Sequence, residues 1–89
     1  MESCMPALRS DLVLRQVGDE TLVLDRTGER IHQLNATASY ILSRCDGITE
    51  QRVVAVDLAD RYQISIEQAA EDVLNLLMQL EQLGLLKPH

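Results

Sequence analysis

Two cysteines, Cys4 and Cys45, and two histidines, His32 and His89, are the side chains best suited to metal ligation or nucleophilic chemistry in this chain. Their spacing supports neither. A tetrahedral zinc site wants four ligands at short paired intervals, and the two cysteines are too far apart for a CxxC pair. Cys45 falls at a helical apolar spacing, where a thiol behaves as a small buried hydrophobe, and Cys4 sits near the N-terminus. His32 is a candidate for titration or for a hydrogen bond to a ligand near neutral pH. Catalysis, however, needs a second positioned group, and the carboxylates are scattered. Phe and Trp are absent, which removes the usual platform for stacking bases or cofactor rings. The pattern argues against a stand-alone enzyme. No catalytic residue, metal ligand or cofactor is expected.

Composition narrows the class further. At 89 residues the chain has room for one small domain, and 46% hydrophobic with 25% charged residues is ordinary for a globular one. No apolar run approaches the roughly 20 residues that span a bilayer. Met1-Glu2-Ser3-Cys4-Met5-Pro6 lacks the basic and apolar regions of a signal peptide, so the cytoplasm is the expected compartment. The net charge is −6, unevenly spread: five basic and six acidic residues lie up to Cys45, three and eight beyond it. Because affinity for nucleic acid rests on neutralising phosphates with Lys and Arg, that distribution argues against DNA or RNA as a partner.

The first third reads as strands. Asp11–Val17 is β-branched and partly alternating, and Gly18-Asp19 suits a two-residue hairpin turn. Glu20–Asp25 follows, and Gly28 is placed for the left-handed position of a bulged second hairpin before Glu29–Leu34. Helices come next. Asn35 is a good N-cap, with Ala38, Ile41, Leu42 and Cys45 recurring at helical intervals and Asp46-Gly47 as the terminator. Thr49 is expected to cap a second helix through Tyr62, and Ser65 with Gln68 has the capping-box form opening a third, which stops at Gly84. The predicted fold is α+β: a three-stranded antiparallel meander followed by three helices, close to a winged helix. Residues 1–10 and 87–89 are expected as tails around a single domain at 11–86.

The third helix carries a continuous apolar face of Ile66, Ala69, Ala70, Val73, Leu76, Leu77, Leu80 and Leu83, with Leu74 and Met78 beyond one margin. Core burial accounts for most of that face. A meander also leaves two edge strands whose backbone N–H and C=O groups must be protected or used. Arg30, Ile31, His32 and Gln33 in the third strand carry no Pro, and a groove beside the following helices would admit a peptide as a fourth strand.

The run His32-Gln-Leu-Asn35-Ala-Thr37-Ala38-Ser-Tyr-Ile41 resembles the central signature of PqqD-like proteins. Cys45-Asp46-Gly47, Leu58-Ala59 with Tyr62, Asp72-Val73 and Leu83-Gly84-Leu85-Leu86 extend the likeness over nearly the whole chain, from about Leu12 to Leu86. The resemblance implies a non-catalytic recognition element of ribosomally made, post-translationally modified peptides. Such an element binds the leader of a precursor peptide and presents it to a modifying enzyme, often a radical-SAM enzyme. Carried onto this chain, it implies an edge of Arg30, Ile31, His32 and Gln33 and a groove wall of Asp72, Val73, Leu76 and Leu80.

Two other functions fit the same element order. A homodimer would pair edge strands or the Leu74/Met78 margin. A winged-helix regulator would use Ser65–Gly84 as its recognition helix, but the opening turns carry Glu67, Gln68, Glu71 and Asp72, where DNA contacts demand Arg, Lys or Asn. A gel shift with genomic DNA fragments is therefore expected to show no salt-sensitive retardation; a retarded band that weakens with salt would restore the regulator.

Overall fold

The computed structural model describes residues 5–87. Cys4 and His89 lie outside the described residues. Strands β1 (Val13–Val17), β2 (Glu20–Asp25) and β3 (Arg30–Leu34) form one antiparallel sheet in the order β1-β2-β3. The first turn has Gly18 at φ +64°, with Val17 opposite Glu20, as a two-residue hairpin requires. The second turn departs from expectation. Glu29, at φ +54°, takes the left-handed position rather than Gly28. Gly28 serves close approach instead: its N–H donates to Asp25 Oδ1 at 3.2 Å, and a Cβ there would lie 3.0 Å from Asp25 Oδ2.

Directly opposed residues share a face of a sheet. Val23 faces the helices with His32, and Thr21 with Leu34; Thr21, Val23 and Leu34 are buried. The other face carries Val13, Leu24 and Ile31 in one row. Helix α1 (Ala36–Ser43) approaches β2 and β3, whereas no Cα of β3 comes within 8 Å of α3 (Ile66–Gln82).

Each helix start reflects its capping chemistry. Asn35 accepts from the Ala38 N–H at 2.9 Å, and Ser65 accepts from the Gln68 N–H at 3.1 Å. The cap expected at Thr49 is not formed. Helix α2 (Gln51–Tyr62) starts one residue later with Glu50 at its N-cap. Asp46 takes the Thr49 hydroxyl at 2.9 Å and accepts from the Ile48 and Thr49 N–H groups, building the α1–α2 turn instead of ending a helix. These bonds hold its carboxyl below the ordinary value. At the end of α3, Gly84 at φ +74° lets its own N–H reach Glu81 O and that of Leu85 reach Leu80 O, the paired bonds of a Schellman motif.

The core joins Val23 and Leu34 of the sheet to Ile41 and Leu42, Val54 and Leu58, and Val73, Leu77 and Leu80 of the helices, closed by Leu85. Ile66 and Ala70, expected on the buried face of α3, are exposed. On the helix wheel Ala70 falls toward the Leu74 margin, whereas Ile66 shares the arc of Val73 and Leu77 but stands at the first position of the helix, at the end of the packed layer.

The expected N-terminal tail is paired in its described part. Gly47 donates to Pro6 O, Leu8 to Cys45 O, Arg9 to Leu85 O and Lys87 to Ala7 O, at 2.8–3.2 Å. Pro6 is buried, and Lys87, also expected in a tail, is held by the same segment. The cause is a side chain that periodicity does not weigh. The Arg9 guanidinium reaches Asp11 at 2.8 Å, Asp25 at 2.9 Å and the Gly84 carbonyl at 2.8 Å, joining the N-terminal segment to β2 and the end of α3.

Hydrogen bonds from Arg9 hold the Asp11 carboxyl down to about 2 and the Asp25 carboxyl below its ordinary 3.8. Carboxyls depressed in the folded state stabilise it above their unfolded value, and that contribution is lost as pH falls through the folded value. Acid titration of the wild type is thus expected to lose stability between about pH 4 and pH 2. Arg9→Met should flatten this window in urea melts taken across the range, whereas an unchanged acid limb would show that the clamp does not form.

Candidate functional site

Strand β3 is bonded along one side by β2; no other strand among the described residues pairs with its second side. Which backbone groups that side offers follows from the turns. In a two-residue hairpin the flanking pair, Val17 and Glu20, exchanges both hydrogen bonds, and bonded and non-bonded pairs then alternate. Residues Glu20, Leu22 and Leu24 of β2 therefore bond toward β1, and Thr21, Val23 and Asp25 toward β3. Their partners Leu34, His32 and Arg30 are thereby committed to β2. The groups left at the outer edge of β3 belong to Ile31 and Gln33. Of the four edge residues read from the sequence, these two hold the free backbone; the other two point side chains to the helix side.

The side chains differ as sharply. Ile31 is 68% exposed, Arg30 and Gln33 are exposed, and the Gln33 amide donates to Glu20 Oε1 across β2 at 2.7 Å. His32 is half-buried, and its Nε2 is shielded with no hydrogen-bond partner among the described residues. Asp72 is half-buried and accepts from the Gln68 amide at 2.9 Å. Val73 and Leu80, 1% and 0% exposed, have no surface to offer an incoming side chain; they form the packed layer beneath, and Leu76 at 7% offers a sliver.

The structure also decides which margin of α3 is which. Leu74 and Met78 line a cavity of about 120 Å³ together with Pro6, Gln51 and Lys87, so that margin faces the N-terminal segment and the start of α2. Asp72, Leu76 and Gln79 occupy the opposite margin on the helix wheel.

A second cavity, of about 430 Å³, lies elsewhere, between β1–β2 and the α1 and α2 ends, lined by Leu14, Gln16, Thr21, Tyr40, Arg61 and Tyr62 among others. Here the chain's two aromatic side chains meet edge to face, 6.3 Å apart, with the Arg61 guanidinium 5.1 Å from the Tyr40 ring centroid. Sequence reasoning passed over this cluster because it looked for Phe and Trp; the signal was Tyr62 adjacent to Arg61. Among the described residues no three His, Cys, Asp or Glu side chains are grouped to hold a metal, and no helix is long and apolar enough to cross a membrane.

The family model for coenzyme PQQ synthesis protein D (PqqD) matches residues 20–86. The chain belongs to the PqqD family. Among solved structures it is similar to lasso peptide synthetase B1 complexed with the leader peptide, at 26% identity and a TM-score of 0.84, covering 96% of this chain and 100% of that one. It is also similar to the PqqD portion of Methylobacterium extorquens PqqCD, a recognition element for ribosomally synthesized and post-translationally modified peptides, at 25% identity and TM-score 0.77, covering 93% and 88%. TbiB1 in complex with the TbiA(β) leader peptide shares the fold, with a TM-score of 0.84 at 18% identity over 93% of this chain and 96% of that one. A comparison with curated proteins finds no match.

The shielded His32 Nε2 generates a prediction. A buried nitrogen without a partner costs the free protein about 1–3 kcal/mol, which an apolar side chain of similar size does not incur. His32→Leu is expected to raise the unfolding free energy by about 1 kcal/mol in urea denaturation; a loss of that size would show that Nε2 is partnered.

Proposed function

We propose that this protein is a non-catalytic peptide chaperone that binds the leader of a ribosomally made precursor and presents it to a modifying enzyme. The leader adds as a fourth strand, antiparallel to β3. The observation that carries this reading is the second side of β3, where among the described residues no strand stands beside the Ile31 and Gln33 backbone groups. Backbone hydrogen bonds to those two residues supply affinity, and side chains reaching past His32 toward Asp72 and Leu76 supply selection. Val73 and Leu80 act from below by holding the α3 wall in place. The lasso synthetase B1 and TbiB1 structures, both determined with leader peptides, support the assignment. The enzyme served is a peptide-modifying one, of radical-SAM type where the gene neighbourhood encodes it. The expected setting is the cytoplasm.

The test is a titration of isotope-labelled protein with a synthetic leader, made from a small open reading frame found next to this gene and a peptide-modifying enzyme. Amide signals of Ile31 and Gln33 should move most, with dissociation constants in the micromolar range or tighter. Shifts confined to α2 would overturn strand addition at β3.

A further inference from the structure

The outer face of the sheet, the one turned away from the helices, is not uniformly polar. Val13, Leu24 and Ile31 are directly opposed across the three strands and form a single apolar row. Exposure rises along it: Val13 and Leu24 are half-buried by their neighbours, while Ile31 at the free edge is 68% exposed. The next row, Arg15, Leu22 and Gln33, ends at the same edge in a polar side chain. Ile31 thus presents two things at one place, a free backbone and an uncovered β-branched side chain. An edge strand ordinarily guards such a position with a charge or a Pro.

We infer that Ile31 reads the leader through the sheet's outer face: the leader residue opposite it is apolar and extends the Val13–Leu24–Ile31 row to a fourth strand. This rests on the strand-addition reading and deepens it. An incoming strand must alternate, so the residue opposite Ile31 points outward, and its two neighbours point to the helix side. The outward residue two places away lies beside Gln33, where a polar side chain fits. Recognition is then two-sided, and the leader carries an outward pattern of apolar, any, polar alongside whatever it places toward α3. The occupant is the leader itself, because the backbone that would hold it in register belongs to the same Ile31. Directly opposed apolar pairs are a main source of sheet stability, which gives this pair weight in affinity.

The experiment measures binding of the same synthetic leader to the full chain and to Ile31→Thr, a change that keeps the β-branch and strand preference. The variant should bind about fivefold more weakly, with the fold unchanged by circular dichroism. In a scan of the leader with Thr, one apolar position should cost wild type about fivefold and cost the variant nothing further, the mark of a direct pair. Wild-type affinity in Ile31→Thr, with the β3 amides still responding, would overturn the outer-row inference and leave strand addition standing. Silence of the β3 amides would instead remove strand addition itself. A free protein that sediments as a dimer, and becomes a monomer in Ile31→Thr with leader affinity unchanged, would assign the row to a second copy and overturn the inference.

Discussion

A backbone donor and acceptor can be satisfied by one neighbour strand at a time, and the interest of this protein depends on that constraint. Pairing β3 with β2 commits Arg30, His32 and Leu34 and leaves Ile31 and Gln33 facing outward. Among the described residues none pairs with that side, and the flanking segments are placed elsewhere. The N-terminal segment pairs with Asp46 and Leu86, and α3 passes no closer than 8 Å from β3 between Cα atoms. An uncovered edge is a hazard in an isolated domain and a template in a recognition module.

The polar interactions explain how the edge stays uncovered. Arg9 ties the entering chain to Asp25 at the far end of β2 and to the Gly84 carbonyl where α3 stops. Asp46 organises the neighbouring turn, and Gly47 donates to Pro6. Both described ends of the chain are thereby drawn to one end of the molecule. The Arg9–Asp11 contact is largely exposed and contributes little, but the Asp25 side chain is only 7% exposed, so its pairing is better shielded from water. Peptide recognition in this reading needs both arrangements, one end closed by the chain itself and one edge left for a partner.

Much of the fold was legible in order. The Gly18-Asp19 turn, the Asn35 and Ser65 caps and the Gly84 stop are local signals, decided by hydrogen bonds within a few residues, and the structure follows them. Thr49 failed as a cap because Asp46, three residues earlier, captures its hydroxyl. Gly28 failed as the left-handed residue because the Asp25 carboxylate needs close approach there. In both cases a carboxylate outside the short pattern claimed the group. The candidate site was legible as an edge and a helix, but periodicity does not separate the backbone-bearing Ile31 and Gln33 from Arg30 and His32, nor the buried Val73 and Leu80 from the margin at Asp72.

By itself, then, the amino-acid sequence determined the element order, the starts of α1 and α3, the Gly84 stop, the acidic character that disfavours nucleic acid, and the family signature from His32 to Ile41. These depend on interactions a few residues long or on total charge. Tertiary structure decided the parity of β3, the docking of Pro6–Arg9, the side of α3 that faces α2, and the apolar row ending at Ile31. Each of those depends on which distant residue stands opposite, and a one-residue slip in register would exchange the bonded and the free groups of β3 and turn every side chain to the other face.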